Sequence, residues 1–382
     1  MPPSHGHYNL ESDGRHPYHT YAPFPLQSID ALKMDDEFSF QLAKAHRLLG
    51  KLDGMLCYVP DINILAYPLR RYEAKFSYDI EKEEALYNER FGAAPLKTSV
   101  DRITFAYTDA LLCGAEDLSK EETLFDSLRS VHHQMFSGDY DDAGQYRVMQ
   151  LFTYPRVFAH GGEPFYNPPN PSDMITAMAN LENYINDPCK LDGLIQVALA
   201  YYQLVTIRPF SVGNGLLERM YVNFLLVKTG LLSLPLLCLS ESLLASDAEF
   251  RDALRLIRSY GRGFDVWITF FVKVLISASE KTLIMLDELY RLRLSDLKRL
   301  HSCEKLSPLV RTLYEHLWRS PTIETSKMVS TLNMSYNTVA KAMGTLRDLN
   351  ILEQVDSKTR YRQFGYHGLL DICGERQVAL NS

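Results

Sequence analysis

Residues 207–219 read IRPFSVGNGLLER, a short loop that runs into a helical pattern. Gly213 and Gly215 can adopt positive φ angles and let backbone amides come close to a ligand. The sequence that follows, LLERMYVNFLLVKTG, is helical in character. Because the free N–H groups and the positive dipole end of such a helix face the preceding loop, this stretch predicts an anion site. An ordinary connection between two helices explains the same local features.

The composition is that of an ordinary globular protein. The chain has 382 residues, 46% hydrophobic and 23% charged, and this length predicts two or three domains. The net charge of -7 argues against nucleic-acid binding over the whole surface, although not against a local basic patch. Six scattered cysteines without a C-x-x-C pair favour buried thiols over disulfides or a zinc site. No apolar run reaches the ~20 residues that span a bilayer, so we expect a cytoplasmic protein without a membrane partner.

The pattern along the chain predicts an all-α fold with a small β element. Residues 1–27, rich in Pro, His, Tyr and Gly, predict an extended arm, and their histidines lack partner ligands for a metal site. A helix is predicted with Pro68 at its N-terminal entry. Residues 138–171 predict a β-hairpin flap. Apolar periodicity predicts further helices over 29–52, 99–115, 119–136, 172–186, 191–206, 214–230, 248–260 and 263–293.

After Leu306 the pattern becomes that of a winged helix-turn-helix. A helix over SPLVRTLYEHLWRS precedes a second helix, a turn at Asn333, a third helix from Ser335 and a hairpin around residues 356–358. Residue types that reach bases and phosphates occur on the third helix and on the wing. The residues expected to contact DNA are Ser335, Tyr336, Asn337, Lys341, Lys358, Arg360 and Arg362. Docking of a protein or dimerisation is the alternative role for such a module.

The opening loop resembles the signature of the Fic (Fido) family, His-Pro-Phe-x-Asp/Glu-Gly-Asn-Gly-Arg-x-x-Arg. KAHRLLGKLDGML and YEAKFSYDIE are similar to the N-terminal region of that family, and GQYRVMQLFTYPRVFAHGGEPFYNPP is similar to its target-docking flap. A C-terminal winged helix is a common companion of this Fic type. The resemblance implies a helical Fic core, AMP transfer from Mg-ATP to a hydroxyl of a protein target at the flap, and a homodimer.

The chain departs from the signature at three positions. The matching positions are Pro209, Phe210, Gly213, Asn214, Gly215 and Arg219. Arg208 replaces the catalytic His, Val212 the metal-binding Asp/Glu, and Leu216 the first phosphate-contacting Arg. A guanidinium stays protonated up to pH ~12 and cannot act as a general base, and valine offers no side-chain oxygen to Mg²⁺. We therefore expect neither bound Mg²⁺ nor AMP transfer by the family mechanism.

What remains of the signature is a capacity to bind anions. Gly213, Asn214, Gly215 and Arg219 are the predicted anion-binding residues, with ATP or another nucleotide as the expected ligand. One interpretation is a regulatory pseudoenzyme that binds a nucleotide. A second is an active nucleotidyl- or other phosphate-dependent transferase that uses another base, for which His160 and Glu218 are the candidates. A third is a vestigial site retained for packing, so whether the chain is an enzyme stays open.

The segment SYDIEK resembles the inhibitory segment of the family, Ser/Thr-x-x-x-Glu-Gly/Asn. Ser77 and Glu81 match it, whereas Lys82 replaces the small last residue. In the family this Glu pairs with the second Arg of the signature and obstructs the γ-phosphate of ATP. We predict a partly buried ion pair between Glu81 and Arg219, with an exposed Glu on an acidic helix as the alternative.

The predicted domain organisation has four parts. They are an extended arm over 1–27, an N-terminal helical region with the inhibitory-type helix over 28–98, a Fic core over 99–293 and a winged helix-turn-helix over 300–382.

Overall fold

A computed structural model describes residues 5–12, 14, 17–26, 35–89, 96–117, 124–153, 166–187, 191–260, 263–303, 306–356 and 362–374. The chain divides into two compact units. Unit 1 comprises Met1–Leu56 and Glu73–Glu280, and unit 2 comprises Cys57–Tyr72 and Lys281–Ser382. The predominantly helical architecture predicted from the sequence is confirmed, with two small sheets added.

Unit 1 begins with a β-hairpin that the sequence did not predict. Strands β1 (Gly6–Ser12) and β2 (Pro17–Pro23) pair antiparallel within the segment that we expected to be an extended arm. The amide of Tyr21 donates to the carbonyl of Asn167 at 2.9 Å, and the Asn167 side chain donates to the carbonyl of His19. The hairpin is therefore held against the core by hydrogen bonds to residues far away in the sequence, which leave little trace in local composition.

The helices of the first part of the chain surround a buried pair. They are α1 (Asp36–Tyr58), α2 (Ile62–Glu89), α3 (Val100–Asp117), α4 (Leu124–Phe136), α5 (Pro171–Asn186), α6 (Gly193–Ile207), α7 (Asn214–Lys228), α8 (Ser240–Ala245), α9 (Asp247–Tyr260) and α10 (Phe264–His301). Nearly every residue of α6 and α7 is buried. α6 is largely apolar, whereas α7 also buries polar side chains such as Glu218 and Arg219, and the loop between these two buried helices is held on a rigid base.

Pro68 lies inside α2, six residues after the helix begins, and not at its entry as predicted. Proline lacks the N–H that would bond the carbonyl four residues earlier, which usually ends or kinks a helix. Leu65 and Leu69, on either side of Pro68, are fully buried. Their packing offsets the missing hydrogen bond, and this packing could not be seen from the local sequence.

Unit 2 contains a helical and three-stranded module. Its elements are α11 (Pro308–Arg319), β3 (Thr322–Glu324), α12 (Thr325–Leu332), α13 (Tyr336–Asp348), β4 (Leu352–Gln354), β5 (Gln363–Tyr366) and α14 (His367–Ile372). The antiparallel sheet has the strand order β3-β5-β4. Asn333 ends α12 in a left-handed conformation with φ 50°, and the Ser335 hydroxyl accepts from the amide of Thr338 to cap α13. The predicted turn and the start of the following helix are both observed.

Two predicted β-hairpins cannot be compared in full with the structure. The described parts of the predicted flap, 138–153 and 166–171, contain no strand, and 154–165 lie outside the described residues. The tip of the predicted wing, 357–361, also lies outside them, although β4 and β5 flank it. Among the helices that are described, none has the length and apolar character needed to cross a membrane.

Candidate anion site between helices α6 and α7

The loop between α6 and α7 begins at Arg208, which has an unusual backbone conformation. Its φ is 48° and its ψ is 70°, in the left-handed region that non-glycine residues seldom occupy. The amide of Arg208 donates to the carbonyl of Leu204 and so ends α6. Such a conformation persists only where the surroundings hold it, and the contacts of the loop supply that support.

Two side chains brace the loop from inside. The Asn214 amide group donates to the carbonyl of Phe210 at 2.8 Å and accepts from the amide of Phe210 at 3.0 Å. Arg147 donates from Nε to the carbonyl of Arg208 at 2.9 Å, and its amide donates to the carbonyl of Pro209. Burial lowers the pKa of Arg147 to about 10. The side chain of Asn214, which the sequence assigned to anion binding, is therefore engaged in holding the loop.

His132 on α4 forms the floor of the loop. Its ring stacks on Phe210 with centroids 4.2 Å apart. The amide of Gly144 donates to Nδ1, so the proton must lie on Nε2, which donates to the carbonyl of Val212 at 3.0 Å. Burial lowers the pKa of His132 to about 4. This histidine is a neutral structural support at neutral pH, and its ring nitrogens are both engaged.

The two glycines of the loop have different roles. Gly213 has a φ of 72°, and an added Cβ would lie 2.4 Å from the ring of Phe136. Gly215 is helical, but a Cβ there would lie 2.6 Å from Glu81 Oε2 and 2.9 Å from Arg219 Nη1. Glycine at 213 permits the left-handed turn, and glycine at 215 permits a carboxylate to approach the first turn of α7.

That carboxylate belongs to Glu81 on α2. The amide of Leu216, in the first turn of α7, donates to Glu81. Arg219 Nη2 lies 3.7 Å from Glu81 Oε2, and both side chains are more than nine-tenths buried. Arg219 also donates to the hydroxyl and to the carbonyl of Ser77, at 2.8 and 2.7 Å. The structure thus brings together the three residues that the sequence paired, and Glu81 takes the position at the helix N-terminus that was predicted for a ligand anion.

Arg208 pairs with Glu84, a carboxylate on α2, the helix that also carries Glu81. Its Nη2 donates to Glu84 Oε1 at 2.6 Å, and the two side chains are 18% and 28% exposed. Burial lowers the pKa of Arg208, but Glu84, Glu218 and Glu81 outweigh burial and raise it above its ordinary value. A guanidinium with these neighbours stays charged and cannot accept a proton. Arg208 is therefore half of an ion pair and not a proton acceptor.

Glu218 adds a third carboxyl group, from the second turn of α7. It is 7% exposed, and its Oε1 has no hydrogen-bond partner within the described part of the chain. Burial raises the pKa of Glu218 to about 7, with Glu84 and Glu81 adding to the rise and Arg208 and Arg219 opposing it. Burial, followed by Glu84, also raises the pKa of Glu81, which Arg219 opposes. With Glu218 protonated, two guanidinium groups balance two carboxylates.

The side chains present do not fit Mg-ATP in the way that the family holds it. Val212 contributes only its carbonyl, which accepts from His132, and Leu216 is fully buried in the core. No group of three or more potential metal ligands occurs among the residues that the structure describes. The amides of α7 and Arg219 suit a phosphate, but Glu81 occupies them. A phosphate can bind here only if Glu81 moves.

The residues predicted to contact DNA are exposed wherever the structure describes them. Ser335, Tyr336, Asn337 and Lys341 are exposed at the start of α13, and Arg362 is exposed before β5. Lys358 and Arg360 lie outside the described residues, as does His160, the other candidate base. Ser335 caps α13, so its side chain has a structural role there.

Three residues of the site were missed in the sequence. Arg147 and His132 brace the loop from distant segments, and nothing local marks them. Glu84 follows Glu81 by three residues, a spacing that places both on one face of a helix. That spacing is visible in the sequence, and the arginine at position 208 indicated that it would need a carboxylate partner of its own.

Comparison with known proteins agrees with this geometry. Residues 123–226 match the family described as Fic/DOC, and residues 40–113 match its N-terminal region. The first match contains the loop and most of α7, and the second contains Ser77, Glu81 and Glu84. Together the two matches support a protein of the Fic family.

Curated relatives resemble only part of the chain. "Protein adenylyltransferase Fic" of Drosophila virilis is 32% identical over 112 residues, which are 29% of this chain and 21% of that protein. "Protein adenylyltransferase Fic" of Nematostella vectensis is 29% identical over 117 residues, 30% of this chain and 25% of that protein. The matched region thus spans about a fifth to a quarter of the length of these relatives.

Solved structures overlap more of the chain at lower identity. A Fic family protein from Desulfovibrio desulfuricans is 14% identical, covers 88% of this chain and 97% of its own, and has a TM-score of 0.49. A Fic-domain signalling protein from Bacteroides thetaiotaomicron is 18% identical, covers 66% of this chain and 98% of its own, and has a TM-score of 0.45.

Proposed function

We propose that the chain is a Fic-family pseudoenzyme with a regulatory role, whose degenerate site binds a nucleotide or a related anion without transferring AMP. The ion pair between Arg208 and Glu84 carries this proposal, because it places a permanently charged guanidinium where the reaction needs a base. Val212 removes the metal ligand, so binding would not depend on Mg²⁺. The printed names of the relatives indicate adenylyl transfer for those proteins, and for this chain they suggest an adenine nucleotide as the ligand to test.

The site as described is closed by its own carboxylate. Glu81 lies at the first turn of α7 and beside Arg219, so an incoming phosphate must displace it. Both contacts are electrostatic and both are available to a phosphate, which carries more charge than a carboxylate. We therefore propose weak binding to the wild-type chain and tighter binding when Glu81 is removed.

Calorimetry and labelling test this proposal together. ATP and ADP are titrated into the wild type and into Glu81→Ala, with and without Mg²⁺, and both proteins are incubated with ATP labelled at the α-phosphate. The expected result is metal-independent binding that strengthens in Glu81→Ala, without covalent label. Transfer of label to any protein overturns the pseudoenzyme proposal, and absence of binding in both proteins leaves a vestigial site.

An active transferase is the alternative, and one observation favours it. Glu218 is buried beside Arg208 and Arg219, and its pKa of about 7 suits a general base. If Glu218 acts as the base, label transfer should be lost in Glu218→Gln. It should stay at the wild-type level in Glu83→Gln, a control substitution at an exposed position on α2. The labelling experiment separates the two functions directly.

For unit 2 we propose a winged helix-turn-helix that contacts DNA through α13. The order of the elements supports this proposal, with β3 between α11 and α12, and with β4 and β5 after α13 in one antiparallel sheet. One face of α13 is buried through Val339, Met343 and Leu346, and the opposite face is exposed and carries Lys341. Binding to a random duplex at low salt, with steep salt dependence, tests this role. A homodimer, a protein target at the flap and a cytoplasmic location remain predictions.

A further inference from the structure

Five charged groups from three elements converge at the loop. Glu81 and Glu84 come from α2, Arg208 from the loop, and Glu218 and Arg219 from α7. Four of them form two ion pairs that join α2 to the loop and to α7. Glu218 is the remaining member, buried to more than nine-tenths, and its Oε1 lacks a hydrogen-bond partner among the described residues. Neither ion pair uses it.

We propose that Glu218 is a proton-controlled release for α2, in which loss of its proton loosens residues 77–89 of that helix from the loop. Ionised Glu218 attracts Arg208 and Arg219, which are the two anchors of α2. It also repels Glu81 and Glu84, the two carboxylates that α2 presents to those anchors. Both effects act in the same direction, and both disappear when Glu218 is neutral.

The charged and titratable groups that face Glu218 come from several elements. They are Glu81 and Glu84 on α2, Arg208 in the loop, Arg219 on α7, Tyr201 on α6, and Tyr166 ahead of α5. Burial raises the pKa of Tyr166 to about 12, and it raises that of Tyr201 further, so both phenols stay neutral near pH 7. The arginines stay charged in the same range. Glu218, with its pKa of about 7, therefore changes charge near neutral pH, whereas Glu81, whose pKa burial also raises, is paired with Arg219.

The consequence is a site whose closure depends on pH. Below neutral pH, Glu218 is protonated, Glu81 covers the first turn of α7, and the anion position is closed. Above neutral pH, α2 detaches more often and exposes Arg208, Arg219 and the amides of α7. The inference rests on the proposed function, because it describes how access to the proposed anion site is controlled, but the motion of α2 requires no ligand.

Hydrogen exchange of the full chain without ligand tests the release. The protection of residues 77–89 is measured between pH 6 and pH 8, corrected for the intrinsic rate, in the wild type and in Glu218→Gln. If the pKa of Glu218 is about 7 when α2 is docked and near its ordinary value when α2 is detached, protection should fall about tenfold over this range. Glu218→Gln, which cannot ionise, should show no such loss, and residues 264–280 of α10 serve as the internal reference.

Two outcomes overturn the proposal. One is wild-type protection of residues 77–89 that is the same at pH 6 and pH 8, a result that does not depend on whether the variant folds. The other is the same tenfold loss in Glu218→Gln as in the wild type. Calorimetry with ADP on the same samples separates the two ideas. Binding with pH-independent protection rejects the release alone, and pH-dependent protection without binding rejects the proposed function alone.

Discussion

Arg208 Nη2 donates to Glu84 Oε1 across 2.6 Å, and this contact is the second of two ion pairs that hold α2, here to the loop. The first joins Glu81, one turn earlier on α2, to Arg219. Arg208 therefore supplies the loop with a cation that α2 holds through Glu84. The loop that suits an external anion is neutralised from within by two glutamates of one helix.

Removal of the carboxylate of Glu84 should destabilise unit 1. Glu84→Gln leaves the guanidinium of Arg208 largely buried without its ion pair, at an expected cost of about 1–2 kcal/mol in the free energy of unfolding. Urea unfolding measures this cost, and Glu83→Gln, at an exposed position one residue earlier, is the matched control. Equal stabilities of the two variants would contradict a structural role for the pair.

Removal of Glu81 should destabilise the protein more strongly. Both members of the Glu81–Arg219 pair are nearly completely buried, so Glu81→Ala leaves Arg219 without its ion-pair partner, although its hydrogen bonds to Ser77 remain. We expect a loss of about 2–3 kcal/mol and no label from ATP. Saturating ADP should recover part of the lost stability in thermal unfolding, because a ligand that binds only the folded state raises its stability. Unchanged stability in Glu81→Ala would show that the pair has no structural role.

Most of the helices could be predicted from the sequence because their apolar periodicity is strong. Helix α6 is an example, in which nearly continuous apolar character matches nearly complete burial. The N-terminal hairpin could not be predicted, since its hydrogen bonds with the backbone and the side chain of Asn167 join segments more than 140 residues apart. Pro68 was predicted at a helix entry, where proline is favoured. The tertiary packing of Leu65 and Leu69 keeps it inside α2 instead.

For the site, the sequence predicted residue identities better than their roles. Glu81 and Arg219 were paired correctly because each matches a signature position. Asn214 was assigned to anion binding, whereas its side chain holds Phe210. The raised pKa of Glu218 arises from burial and from neighbours on α2, and neither is visible before the chain is folded.

Stability should fall as pH rises through 7 because of Glu218. Its pKa is raised above the ordinary value, from 4.5 to about 7, so the folded state holds the proton more tightly than the unfolded chain. The resulting stabilisation is complete below about pH 4.5 and is lost as pH rises through about 7, with an upper limit of about 3 kcal/mol. Glu218→Gln should keep its stability over this range.

Urea unfolding of the wild type and Glu218→Gln between pH 5 and pH 8 measures this difference. His132 contributes in the opposite direction, because its lowered pKa removes stability as pH falls from 6.5 towards 4. This contribution is common to both proteins and cancels in the comparison. Parallel pH profiles of the two proteins would show that Glu218 does not titrate in this range.

Lys341 should contribute to DNA binding through charge alone. It is exposed on α13, and a lysine that neutralises one phosphate adds about 0.9 to the magnitude of the slope of log K against log salt concentration. Lys341→Ala should weaken binding to all duplex sequences equally and reduce the slope by that amount, as measured by fluorescence anisotropy of a labelled duplex. Lys51→Ala, an exposed lysine on α1 in unit 1, removes the same net charge and should leave the slope unchanged. Equal effects of the two substitutions would place the contact outside α13, and absence of binding at low salt would exclude DNA as the partner.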